Sequence, residues 1–203
     1  MTTTAGSQDI STYPTPAVSV PRMFYDRVAA TPDVEAFRFP TEDGWTSVTW
    51  RQTQETVKTM AAGLLALGVR PEDRVAIASS TRIEWVYADL AIVCAGAATT
   101  AVYPTTGEAD VGYILSDSGS RVVFAEDDEQ ILKLRAEREH LPDLIRVVTF
   151  DGQADGAWVL SLEDLQALGA KHLVDHPTAV DEAVAAVGPD HLATLMYTSG
   201  TTG

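Results

Sequence analysis

The sequence predicts an α/β protein: a βαβ-type, mostly parallel sheet flanked by helices. Three observations predict it. Short β-rich apolar runs recur at Val75-Ala76-Ile77-Ala78, Thr99 to Tyr103, Arg121-Val122-Val123-Phe124-Ala125 and Arg146 to Phe150. Between them lie helical stretches with start signals at Thr81, Thr105 and Asp127. The strands are also spaced for crossover connections rather than hairpins, and strands alternating with helices in this way pair in parallel with helices on both faces.

The elements follow in order. Met1 to about Val20 is rich in Thr, Ser and Pro without apolar periodicity, and reads as a disordered arm, residues 1–20, lacking the basic and apolar regions of a signal peptide. Residues 21–203 form the folded unit. Met23, Phe24, Arg27 and Val28 suit one short amphipathic helix from Pro21 to Ala30. Val34 to Phe39 and Trp45 to Thr49, around Pro40, Asp43 and Gly44, predict a hairpin. Thr49 and Gln52 have capping-box spacing, and the helix they open aligns Val57, Met60, Ala61, Leu64 and Leu65 before stopping at Gly68.

After the strand at Val75, Thr81 and Glu84 form a second capping box for a helix reaching about Ala95. Thr105, with Glu108 three residues on, introduces a helix from Gly107 to about Asp117. The acidic run Glu126-Asp127-Asp128-Glu129 sits at the start of a helix from Asp127 to Glu139, where carboxylates offset the macrodipole. That role fits it better than a cation site. Gly152 to Ala157 is a polar turn, and Ser161 to Asp164 carries another capping pattern. Asp175 to Val187 is a connecting helix or linker, and Leu192 to Tyr197 is a final buried strand.

Composition narrows the function classes. A formal charge of −15 over 203 residues disfavours a nucleic-acid binder, which needs clustered Lys and Arg, and equally disfavours attraction to an anionic membrane. Cys94 is the only cysteine, so no internal disulfide forms and a reducing, cytoplasmic setting fits. Its apolar neighbours, Leu90 to Val93, mark a packed thiol. The apolar stretch Trp85 to Tyr103 is broken by Asp89, Gly96, Thr99 and Thr100, so it reads as helix, turn and strand, with no transmembrane segment. His172 and His176 have i,i+4 spacing, but Leu173 stands where a zinc protease carries its glutamate. A solvated helix end is the better reading.

The candidate site is the stretch Tyr197-Thr198-Ser199-Gly200-Thr201-Thr202-Gly203. A buried strand that breaks into glycines and hydroxyl residues can cradle phosphate, since glycines let the backbone approach an anion and N–H and O–H groups donate to it. The same composition also suits a plain chain end. Chemistry alone leaves cradle and tail level.

This string resembles the opening of the phosphate-loop motif of the adenylate-forming (AMP-binding) superfamily, which includes acyl-CoA synthetases, peptide-synthetase adenylation domains and luciferases. In that family the motif continues through one variable residue to Pro-Lys-Gly. The sequence therefore resembles the front part of a longer enzyme interrupted inside that loop, an incomplete AMP-binding domain without the family's C-terminal domain. Upstream, Thr46 to Leu67, Gly68 to Ile77 and Glu84-Trp85 to Ala97 are similar to family segments. Val102-Tyr103-Pro104-Thr105-Thr106 and Tyr113 to Ser118 are similar to the long-chain fatty acyl-CoA synthetase branch.

The resemblance implies ATP, Mg²⁺ and coenzyme A as cofactors and a fatty acid as substrate. A carboxylate would attack the α-phosphate of ATP, and the coenzyme A thiol would then displace AMP. Thr198, Ser199, Gly200, Thr201, Thr202 and Gly203 would hold the β- and γ-phosphates, with Tyr197 anchoring the strand end. No catalytic or metal-binding residue is expected within the 203 residues, so the chain alone is expected to be inactive and, with an exposed strand edge, poorly soluble. No nucleic-acid partner is expected, and peripheral membrane contact is left open. Two other readings stand beside this one. One is a peptide-synthetase adenylation domain or other aryl-acid adenylating enzyme, although peptide-synthetase loops more often carry Ser where Thr201 stands. A non-catalytic α/β module would bind a partner or lipid.

Overall fold

The computed structural model describes residues 17–198. Its centre is a six-stranded, all-parallel sheet of β3 (Arg74–Ala78), β4 (Ala98–Val102), β5 (Ser120–Ala125), β6 (Arg146–Thr149), β7 (Val159–Ser161) and β8 (Thr194–Met196). The order across the sheet is β7-β6-β5-β3-β4-β8. A separate antiparallel hairpin, β1 (Glu35–Thr41) with β2 (Gly44–Thr49), precedes it. The α/β class and the hairpin are as the sequence predicts.

Alternation along each central strand divides the core into two layers. Val75, Ile77, Val122, Phe124 and Val148 face one layer, which is built from α1 (Val20–Ala30), α2 (Trp50–Ala66), α3 (Ile83–Cys94), α6 (Leu162–Asp175) and α7 (Ala179–Ala186). Ala76, Ala78, Val123, Ala125 and Val147 face the other, covered by α4 (Glu108–Ser118) and α5 (Asp128–Ala136). Strands buried on both faces lose the polar/apolar alternation of a half-exposed sheet, which is why β3 and β5 read as continuous apolar runs.

The local start signals meet different fates. Thr49 and Gln52 cap α2 reciprocally at 3.3 and 2.8 Å, and Ser161 and Asp164 do the same for α6 at 3.0 and 2.9 Å. Asp127 caps α5 by accepting from the Gln130 amide at 3.1 Å. The Thr81–Glu84 capping box does not form. Arg82 is the N-cap of α3, and its guanidinium takes the Glu84 carboxylate at 2.5 Å, a charge-assisted pair that outcompetes a bond to a neutral amide. Thr105 likewise caps nothing: α4 starts from Gly107 without a side-chain cap. The first helix begins at Val20 with Ser19 as its cap, one residue earlier than expected.

Two elements depart from the sequence reading. The helix expected from Asp127 to Glu139 ends at Ala136 and continues as a 3₁₀ turn over Arg138–His140. Strand β7 was not foreseen; three residues abutting a helix start are too short a run to carry a strand signal. His172 and His176 close the end of α6 with ring centroids 4.7 Å apart. Among the described residues, no group of three or more His, Cys, Asp or Glu side chains is disposed to hold a metal. No described helix is long and apolar enough to cross a membrane.

Candidate functional site

In an open parallel sheet, ligands gather outside the carboxyl ends of the strands, most often where the strand order reverses. Here the reversal lies between β3 and β5, and the molecule fills that crevice with its own charge. The Glu126 carboxylate accepts from the Ser80 amide at 2.7 Å and from the Ser80 hydroxyl at 2.5 Å. Burial raises its pKa, but those two donors and the Arg82 charge outweigh it and hold the carboxyl below its ordinary value. Arg82 also binds Asp151, with one contact at 3.2 Å. The crevice is thus lined by side chains already paired with one another.

The candidate phosphate-loop sequence begins just beyond the carboxyl end of β8. This strand pairs with β4 in the register Thr99↔Thr194, Thr100↔Leu195 and Ala101↔Met196, and lies at the edge of the sheet. Its entry is held by the Leu192 amide donating to Glu72 at 3.1 Å, the Thr99 amide donating to Ala193 at 3.0 Å, and the Thr194 hydroxyl donating to the Thr99 carbonyl at 3.0 Å. The strand read from the sequence as buried is not: Thr194 and Met196 are exposed, Met196 by 76%, because β8 has a neighbour on one side only and presents an apolar edge.

Tyr197 is the next anchor. Its hydroxyl donates to Asp117 Oδ2 at 2.7 Å, and its ring stands edge-on to Tyr113, one turn earlier on α4, at 6.5 Å. Burial, followed by the Asp117 acceptor and its charge, pushes the phenol up to about 12, so it remains a donor at neutral pH. The loop leaving β4 is fixed in a comparable way. Lys133 of α5 donates to the Pro104 carbonyl at 2.7 Å and pairs with Glu129 at 3.0 Å.

Of the predicted cradle, Thr198 is exposed at the end of this strand; Ser199, Gly200, Thr201, Thr202 and Gly203 lie outside the described residues, as does the expected arm up to Pro16. The sequence reading gave Tyr197 its anchoring role but not its partner. Asp117 is 80 residues away and Lys133 is 29 residues from Pro104, and no local spacing signals either contact.

The fold is an open parallel α/β sheet whose edge strand β8 is followed in sequence by the candidate phosphate loop. The family described as "AMP-binding enzyme" matches residues 24–203, and the chain belongs to it. The "Long-chain-fatty-acid--CoA ligase FadD15" of Mycobacterium bovis is 35% identical over 198 residues, covering 92% of this chain and 32% of that protein. Among solved structures, the anthranilate CoA ligase AuaEII in complex with anthranoyl-AMP superposes with a TM-score of 0.74 at 25% identity, over 93% of this chain and 34% of that one. A long-chain-fatty-acid-CoA ligase (FadD1) from Archaeoglobus fulgidus gives 0.72 at 20% identity, over 92% and 35%, and shares the fold. The chain thus spans about a third of the length of the relatives it matches.

Proposed function

We propose that the chain is the amino-terminal third of an ATP-dependent, AMP-forming ligase that joins a long-chain fatty acid to coenzyme A. One observation carries the reading. The family match runs without a break through a carboxyl-edge strand into Thr198-Ser199-Gly200-Thr201-Thr202-Gly203. The backbone amides and hydroxyls of these six residues grip the β- and γ-phosphates of MgATP while the fatty carboxylate attacks the α-phosphate. Holding the leaving pyrophosphate in place offsets the charge that builds on it as the P–O bond breaks. The Mg²⁺ would arrive with the nucleotide; among the described residues no group of three or more His, Cys, Asp or Glu side chains is disposed to hold a metal. Acyl-adenylate then reacts with the coenzyme A thiol to give thioester and AMP.

Residues 1–203 by themselves are expected to be inactive. The loop as written holds donors but no fixed cation, and Lys58 and Lys133 are paired with Asp181 and Glu129. Hydroxyl groups do not replace a point charge on phosphate.

A second reading, an aryl-acid CoA ligase, is favoured by the superposition on the anthranilate enzyme. Product analysis separates the two. The whole protein, given ATP, coenzyme A and either palmitate or anthranilate, is expected to release AMP and pyrophosphate and to form palmitoyl-CoA. Anthraniloyl-CoA alone would move the assignment to aryl acids. Release of ADP, or of no nucleotide product, would end both readings.

A further inference from the structure

A groove of about 510 Å³ opens beside Arg146, the first residue of β6, and Trp158, which directly precedes β7. Because the six strands run parallel, this edge of the sheet lies opposite the carboxyl end of β8. Arg138, Arg146, Trp158 and Asp155 are in its wall. In a chain of net charge −15, the groove is set apart by positive charge that no carboxylate answers. The 3₁₀ turn Arg138–His140 brings the Arg138 guanidinium over the Trp158 ring, 4.4 Å from its centroid. Stacked in this way, a guanidinium keeps its in-plane N–H donors for another partner. Arg146 donates from Nη1 to the Ile145 carbonyl at 2.7 Å and retains its other donors. Neither arginine forms an ion pair with a described residue.

Asp155 does not neutralise them. Its Oδ1 accepts from the Ala157, Trp158 and Val159 amides at 2.8, 2.9 and 2.9 Å, and its Oδ2 accepts from Arg135 at 2.7 Å. That carboxylate is satisfied by its own turn and by Arg135, which leaves Arg138 and Arg146 as the open charges of the groove.

We propose that this groove binds the phosphate group of a small soluble molecule between Arg138 and Arg146. Planar guanidinium groups match phosphate oxygens with paired N–H donors. Trp158 is buried and covered by Arg138, so it holds that side chain flat rather than stacking on the ligand. The net charge opposes approach to an anionic bilayer, which favours a soluble phosphate over a lipid headgroup. The proposal is independent of the phosphate-loop reading, since no residue of β8 or beyond lines the groove.

The test is calorimetric titration of the whole protein with inorganic phosphate and with glycerol phosphate. Both are expected to bind with a Kd of about 1 mM or tighter. Arg138→Ala and Arg146→Ala should each weaken binding about tenfold or more, the loss expected for a hydrogen bond to a charged group. Arg138 is exposed, so its removal leaves the fold intact, as a circular dichroism melt will verify. Arg22→Ala removes the same charge from α1 and should change the Kd less than about twofold. No binding of either phosphate, or equal affinity in wild type and Arg138→Ala, would overturn the proposal. An equal loss in all three variants would reduce the effect to net charge and overturn it too. Arg138-dependent sedimentation with phosphatidic acid vesicles, without affinity for the soluble phosphates, would overturn the soluble source.

Discussion

Asp89 shows what a single half-buried carboxyl does to this fold. It sits midway along α3 and accepts from the Thr99 hydroxyl at 2.7 Å. Burial raises its pKa, and the Thr99 bond offsets this only in part. A carboxyl whose folded pKa exceeds its unfolded value binds its proton more tightly in the native state. Its contribution is therefore fully present below the unfolded value and is lost as pH rises through the folded value. Asp89→Asn keeps an acceptor for Thr99 and carries no charge. It should match the wild type in thermal stability near pH 4 and exceed it at pH 8, as followed by circular dichroism melts; a variant less stable at pH 8 would contradict this. Cys94 follows the same physics in a fully buried site: burial pushes the thiol up to about 12, consistent with the inert packing its apolar neighbours implied. Asp155 shows the opposite sense. The Val159 and Ala157 amides and Arg135 hold it well below the usual carboxylate range, and the sequence marked it only as part of a polar turn.

At the scale of elements, α2 and α6 pack against each other more extensively than any other pair of described helices. A Cβ on Gly169 would come within 1.9 Å of the Thr59 carbonyl oxygen, and one on Gly63 within 2.4 Å of the Leu165 carbonyl oxygen. Both are backbone atoms, which cannot swing aside. Gly169→Ala is expected to cost about 3 kcal/mol, read as a lowered urea midpoint, whereas an unchanged midpoint would show that the helices separate freely. This contact was not legible in the sequence, because neither glycine stands at a turn and nothing local distinguishes close packing from a weak helix position. The caps at Thr49 and Ser161 were legible, since donor and acceptor are three residues apart. The false cap at Thr81 arose where Arg82 offered Glu84 a stronger partner.

On the scale of the whole molecule, the strand order separates two parts of the carboxyl edge. Between β3 and β5 lie the paired Ser80, Arg82 and Glu126; beyond β8 follows the candidate phosphate-loop sequence. The alternation of strands and helices made the sheet readable, and the abrupt change from Leu195-Met196 to Thr198-Ser199-Gly200 made the site readable. The contacts of Tyr197 with Asp117 and of Lys133 with the Pro104 carbonyl were hidden, because each pair meets only through the fold. Pyrophosphate exchange into ATP by the whole protein, comparing the wild type with Thr201→Val/Thr202→Val, tests the phosphate grip most directly. The account predicts palmitate-dependent exchange in the wild type and a loss of about 100-fold or more in an equally folded variant. Exchange at the wild-type rate without those two hydroxyls would contradict it.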